Sequence, residues 1–460
     1  MKSTNNLFKY TATTIVAAAL VLSSCDSEFL EPTVSTAKDL ETNVNNVDDL
    51  NNIVLGAYER LSQTGFLGRD IIAHGSVRSD DGFSNGNSGR FVASAQFEYQ
   101  STSGDPNAMW NDGYEVIANT NIVINAVTED DGTQEADHIK GEAYAIRALA
   151  HMQLLLFFGQ QNTGGTLGVP YITEYLGDLA PARLSVTEVW TKIGEDLNMA
   201  SSLMSESLND GPIRLTTYGV AALKTRYFLF IQDYANVISN AQYVINSGLF
   251  QFANASNLAA SYVGSSPATS IFELAFTLSD NLGINGLYQI MNYTGYGDVL
   301  PLPGLYNLYD AGDARRNLIE YDATLDTYRM VGKYPTSTYD DNVRVIRYAE
   351  VILNYAEALF MSGQTGPALT QLNSVPAAVG AQQWASVTLG NILDERRKEL
   401  AMEGFRFHDL MRHGMDILKT DPSRQTFTGN SVPFGDPRLA LPIPEAEINA
   451  NSNIVQNTGY

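Results

Sequence analysis

Cysteine occurs once in the 460 residues, at Cys25, so the chain forms no internal disulfide. Positive charge is also scarce. Only 28 Lys and Arg stand against 51 Asp and Glu, for a formal net charge of −23. Phosphate backbones need a basic footprint, so nucleic acid and other polyanions are disfavoured as partners. Histidine is rare, and its five copies are scattered. His408 and His413 do not share a helix face as metal ligands at i and i+4 do. No Walker loop, HExxH or CxxC is present. Asp80-Asp81-Gly-Phe-Ser-Asn85-Gly86-Asn87 hints at a calcium loop but fails. With Gly86 as the loop glycine, Phe83 falls at a ligand position and Val92 at the closing Glu. No metal or cofactor is expected. A carboxylate pair for glycoside hydrolysis stays open among so many acids, but no spacing points to one.

Long apolar runs are missing too. Ile15 to Leu22 is too short to span a bilayer. Preceded by Lys2 and Lys9, it has the layout of a secretory signal over residues 1–24. Leu22-Ser23-Ser24-Cys25 is similar to a bacterial lipoprotein cleavage site, which makes Cys25 the expected lipidated residue. The membrane would then be reached through an acyl anchor alone. Residues 25–42 are polar and read as the lipidated N-terminus and a flexible tether. Residues 43–460 read as a single globular unit.

Helical periodicity covers most of that unit. Leu50, Val54, Ala57 and Leu61 share one face, and Trp110, Tyr114, Ile117 and Asn121 another. Ile139 to Phe157 forms a long helix ending at Gly159. Within it, Arg147 lies among apolar neighbours, so a buried and paired Arg is expected. His151, one turn on, is expected to be packed rather than a ligand. Ser185-Val-Thr-Glu188 is a capping box that opens the next helix. Residues 217–231 and 234–245 read as a helical hairpin with a small-and-aromatic pattern. With 138–206, 343–375 and 388–418 there are four possible helix pairs. In the last but one, Val343 to Gly363 reads as one continuous helix stopped by Gly363.

Two stretches lose the helical period. Residues 65–108 hold seven Gly together with Phe83, Phe91, Phe97 and Tyr99. Residues 250–342 hold a short alternating strand, Ile271 to Phe276, and then Tyr288, Asn292, Tyr293 and Tyr296 among glycines. Long loops in a compact chain are usually functional. A sugar ring offers an apolar C–H face to an aromatic ring and a rim of hydroxyls to polar side chains. The stacking candidates are therefore Phe83, Phe91, Tyr293 and Tyr296. The hydrogen-bonding candidates are Asp80, Asp81, Arg90 and Asn292.

Several segments carry a resemblance. WNDGYEVIANTNIVI, GEAYAIRALAHMQLLLFFG, Val169-Pro170-Tyr171, the Val343 to Gly363 stretch and Leu441-Pro-Ile-Pro444-Glu445 are similar to stretches of the SusD/RagB family of outer-membrane nutrient-binding lipoproteins. ILDERRKELAMEGFRF with Asp409, Leu410 and Arg412 resembles its E-R-x-x-E-L-x-x-E-G-x-R-x-x-D-L-x-R segment. The charges in that segment read as an ion network holding helices together. One departure is Asn451-Ser452, where the family usually has Asn-Pro. The resemblance implies a mostly α fold of tetratricopeptide-like helix hairpins, with long irregular insertions and a few short strands. It implies no enzyme activity, and non-catalytic binding of an oligosaccharide or polysaccharide at the cell surface. The partner it implies is a SusC-like TonB-dependent transporter, with this chain as the lid. The negative charge favours a neutral glycan such as a glucan. Peptide capture, as in the RagB branch, and a surface glycoside hydrolase remain as alternatives. Asp26, Glu28 and Glu31 after Cys25 resemble the surface-export tract of Bacteroidota lipoproteins, giving an outer-membrane, surface-exposed location.

Overall fold

A computed structural model describes residues 44–175, 180–293 and 296–460. The signal segment 1–24, Cys25 and the tether 25–42 lie outside the described residues. Helix α1, Val47–Leu61, starts at Asn46, whose side chain accepts the Asp49 amide. Helix α2, Asp70–Val77, follows. Strand β1, Gly82–Ser84, and the short helix α3, Val92–Gln96, lead to α4, Gly104–Asn125. Helix α5, Gln134–Phe158, is capped by Thr133, and α6, Val186–Leu203, by the full Ser185/Glu188 capping box. Helices α7, Thr217–Phe230, and α8, Tyr234–Asn246, form a hairpin.

After strand β2, Ser270–Leu274, come β3, Val299–Pro301, and the single-turn helix α9, Pro303–Tyr306. A hairpin of β4, Ile319–Asp322, and β5, Thr327–Met330, precedes β6, Val343–Arg347. Helices α10, Tyr348–Met361, and α11, Thr365–Ala378, then fold back on each other. Helices α12, Leu389–Glu399, and α13, Phe405–Arg412, are followed by β7, Ile417–Leu418, β8, Ser431–Val432, and α14, Glu445–Ala450. The four two-stranded sheets, β1–β3, β2–β6, β4–β5 and β7–β8, are all antiparallel.

The framework is four helix pairs: α1 with α4, α5 with α6, α7 with α8, and α10 with α11. Neighbouring pairs pack on one another through α4 on α5, α6 on α7 and α8 on α10. Each pair covers the apolar face of the next, which no single pair could do alone. Within the α10–α11 pair, Ile352, Leu353, Ala356, Leu372 and Val375 form the seam. Within 388–418, α12 and α13 meet through the buried Arg396–Asp409 pair, and α13 also packs on α2. The α13–α2 contact needs glycine on both sides, since a Cβ on Gly75 would sit 2.2 Å from the Gly404 carbonyl oxygen.

The stretch Val343 to Gly363 is also not one helix. Its first five residues form β6, paired with β2, and the helix starts at Tyr348. Val343, Val345 and Ile346 are β-branched and all five residues are buried, so no amphipathic contrast marks the change. The C-terminal end is as expected, with Gly363 left-handed at φ +77° and the Gln364 amide returning to the Leu359 carbonyl.

Candidate binding site at the junction of the two irregular regions

Strand β1 belongs to the first irregular region and β3 to the second. Their pairing, with Phe83 opposite Leu300, joins segments more than 200 residues apart. The Asn85 amide reinforces the joint by donating to the carbonyls of Tyr296, at 2.8 Å, and Gly297, at 2.6 Å. Ser88 donates to Asp298 at 2.5 Å. Arg90 is thereby laid over the Tyr296 ring, 5.3 Å from its centre, with its Nε 3.8 Å from Asp298. Asp298 is almost fully buried, and that burial raises its pKa.

The chain just before β3 makes one π-helical turn, Tyr288–Asn292. This turn sets Tyr288 at 6.3 Å from Tyr293, and Tyr293 lies 6.5 Å from Tyr296. Tyr339 closes the cluster edge-on to Tyr288 at 5.8 Å. Tyr293 is 41% exposed, and the other three rings are half-buried. Four phenol rings and one guanidinium thus share one surface. Such a surface offers apolar ring faces beside hydroxyl and N–H donors.

Of the residues expected to bind, Tyr293, Tyr296 and Arg90 come together here. The others do not line this surface. Phe83 packs under Leu300 and Leu302. Phe91 is 2% exposed, edge-on to His74 at 5.2 Å. It caps α3 in the left-handed region at φ 58°, as Phe97 does at the other end, a backbone cost held by burial of both rings. Asp80 accepts Arg406 Nε at 2.7 Å and Nη2 at 3.0 Å, while Asp81 pairs with Arg397. Burial works against the Asp80 charge, but hydrogen bonds from Arg406 and the charge of Arg397 outweigh it and hold its pKa low. Asn292 donates to the carbonyls of Val331 and Tyr334 and so ties the π turn to the strand segment after β5. The physical reason is shared. A Gly-rich stretch with no period was read as open loop, yet long-range pairing buried it.

Sequence reasoning missed Tyr288 as a site residue, although it lies in the Tyr-rich run, and Tyr339 altogether. Tyr339 reaches the cluster only through the fold, and no local signal marks it beyond the tyrosine itself. Among the described residues no group of three or more His, Cys, Asp and Glu is placed to hold a metal ion.

The other expected roles are visible elsewhere. Arg147 is buried and paired with both Asp196 oxygens at 2.7 Å. His151 stacks on Tyr171 at 3.7 Å and is held neutral by burial, its pKa lowered to about 3. The charged segment around α12 and α13 forms a network. Arg347 binds Glu399 and Glu403, Arg315 binds Asp313, Glu395 and Glu399, and Arg396 binds Asp409. Arg412 joins Glu357 to Asp409.

Comparison with known proteins places this architecture. Residues 325–460 match the model of the SusD family, and residues 28–229 match a model described as starch-binding associating with outer membrane. The chain belongs to the SusD family. A putative sugar binding protein from Bacteroides vulgatus superposes with a TM-score of 0.83 at 26% identity, over 90% of this chain and 99% of that one. A SusD superfamily protein from the same species gives 0.84 at 26%, with the same coverage. A SusD-like protein of Bacteroides ovatus is 26% identical over 86% of this chain and 81% of its own length. The starch-binding protein SusD of Bacteroides thetaiotaomicron is 35% identical, over 29% of this chain and 24% of its own length. Among the described residues no helix is long and apolar enough to cross a membrane.

Proposed function

We propose that this SusD-family protein captures an oligosaccharide at the surface of the outer membrane. It binds through the tyrosine cluster, without cleaving the sugar, and passes it to a SusC-like TonB-dependent transporter, over which it closes as a lid. Lipid attached to Cys25 holds it to the membrane. The observation that carries the reading is the cluster of Tyr288, Tyr293, Tyr296 and Tyr339 with Arg90 over one ring. Ring faces cover the apolar C–H faces of sugars, and the guanidinium and phenols take the hydroxyl rim. Asp298, the carboxylate in contact with Arg90, is buried beneath it, whereas hydrolysis needs two carboxylates facing the substrate. The printed descriptions of relatives, starch-binding and sugar binding, point the same way. The net charge of −23 favours a neutral glycan, such as a glucan, over a sulfated or uronic one.

The test is calorimetric titration with neutral and acidic oligosaccharides and with mixed peptides. Wild type runs beside a Tyr293→Ala/Tyr296→Ala double variant. The expected result is binding of a neutral glycan, weakened about tenfold or more in the variant, with no product formed. A response to peptides alone overturns the glycan reading. Product formation overturns the non-catalytic one.

A further inference from the structure

In a chain with nearly two acids for every base, almost every cation finds a partner. Lys224 does not. Among the described residues it is the one Lys or Arg with no hydrogen bond, ion pair or ring contact. It is half-buried on α7, and burial without a counter-ion lowers its pKa. It lines a cavity of about 370 Å³ between the end of α6, α7 and α8, together with Thr217, Ala221, Asn240, Tyr243 and Glu206. That volume lies within the range of small-molecule sites, about 300–1,000 Å³.

Opposite charges stand at the two ends of this cavity. Thr217, Ala221 and Lys224 follow one another along one face of α7, so Thr217 and Lys224 are about 10 Å apart along the helix axis. Glu206 stands at the Thr217 end. Its carboxylate accepts the Tyr243 hydroxyl, and the Tyr218 hydroxyl at 3.3 Å, and among the described residues it makes no ion pair. The same Tyr243 hydroxyl lies 3.2 Å from Thr217 Oγ1. The two tyrosine rings stack at 5.2 Å and fix the carboxylate at that end. Lys224 and Glu206 therefore line one cavity without neutralising each other. A plain anion would meet Glu206, and a plain cation would meet Lys224.

We infer that this cavity is a second binding site, separate from the tyrosine cluster, for a short zwitterion of dipeptide size, with its carboxylate at Lys224 and its ammonium at Glu206. The Thr217 hydroxyl and the Asn240 side chain also line the cavity and supply polar groups that a peptide group can meet. The inference does not depend on the glycan reading, since no residue is shared with that site.

The test uses the full-length protein and Ala-Ala as the probe, titrated to millimolar concentration. Two controls each lack one charge, N-acetyl-Ala-Ala and Ala-Ala amide. The expected result is Ala-Ala binding weakened about tenfold by Lys224→Met and by Glu206→Gln, and retained by Lys224→Arg. Each blocked analogue should bind about tenfold more weakly than Ala-Ala to the wild type. Melting curves of the variants should match the wild type, because Glu206 is exposed and Lys224, half-buried, has no ion pair or hydrogen bond to lose. The Tyr293→Ala/Tyr296→Ala variant should keep Ala-Ala binding, which separates this site from the glycan site. No binding, equal binding of the three probes, or indifference to both substitutions overturns the inference.

Discussion

Two parts of the molecule use polar residues in opposite ways. Around α12 and α13, Arg315, Arg347, Arg396 and Arg412 are buried and spend nearly every N–H on carboxylates or carbonyls. At the β1–β3 junction a single half-exposed Arg90 is held loosely, 3.8 Å from Asp298 and 3.4 Å from the Ile284 carbonyl, among rings that face water. The first arrangement holds a shape. Buried ions are tolerated only when fully paired, so the network fixes where α12, α13, β6 and α10 meet. The second leaves donors and ring faces unspent, which is what a binding surface requires. A dense cluster of charges in this family member is therefore scaffold, and the sparse aromatic surface is the candidate for ligand.

Breaking the network should give the largest effect. Arg347→Met leaves Glu399 and Glu403 buried with less compensation. It should cost about 3–5 kcal/mol in urea unfolding. Phe83→Ala tests the assignment of that ring to the core, with an expected loss of about 3 kcal/mol. A binding defect without a stability loss would return Phe83 to the site.

The pH response sharpens the same contrast. Burial holds His151 and His408 at about 3, below their unfolded values, so they lose stability as pH falls from about 6.5. Asp70 and Asp81 are raised by burial to about 7 and about 6, so the folded state takes up their protons first and they gain stability over much of the same interval. These effects oppose each other between about pH 7 and 4. Glu399, Glu403 and Asp409 are also buried, but Arg347 and Arg396 outweigh that burial and lower their pKa values. Their contribution is present above the unfolded carboxylate range and is lost as pH falls through the folded values. Melting temperature should thus vary little from pH 7 to about 4 and drop steeply below it. A collapse near pH 6 would show that the histidines dominate instead.

Smaller effects are expected at the junction. Asn85→Ala removes both bonds to the Tyr296–Gly297 backbone and should cost about 1–2 kcal/mol, with a parallel loss of glycan affinity. Tyr293→Ala should leave stability within about 0.5 kcal/mol and weaken glycan binding, the inverse of Phe83→Ala.

Much of the scaffold was legible residue by residue. The Ser185/Glu188 box caps its helix, Arg147 is paired as its burial required, and the helices expected at 217–231 and 234–245 lie within one residue of those bounds. The charged segment was legible as a network because Glu395, Arg396, Arg397, Glu399, Glu403, Arg406, Asp409 and Arg412 mix both signs along a helical region, where opposite charges pair. One helical reading failed. Val343–Arg347 is buried throughout, so the pattern that separates helix from strand was absent.

Most helix positions, the Ser185/Glu188 cap and the demand that buried charges be matched are written into short stretches of sequence, because they depend on residues within a few turns of one another. Tertiary structure alone decided which aromatics face water. Phe83 and Tyr293 sit in equally irregular, glycine-rich surroundings, yet the β1–β3 pairing buries one and the π turn exposes the other. That pairing joins positions more than 200 residues apart, and no local period reports a contact of such range.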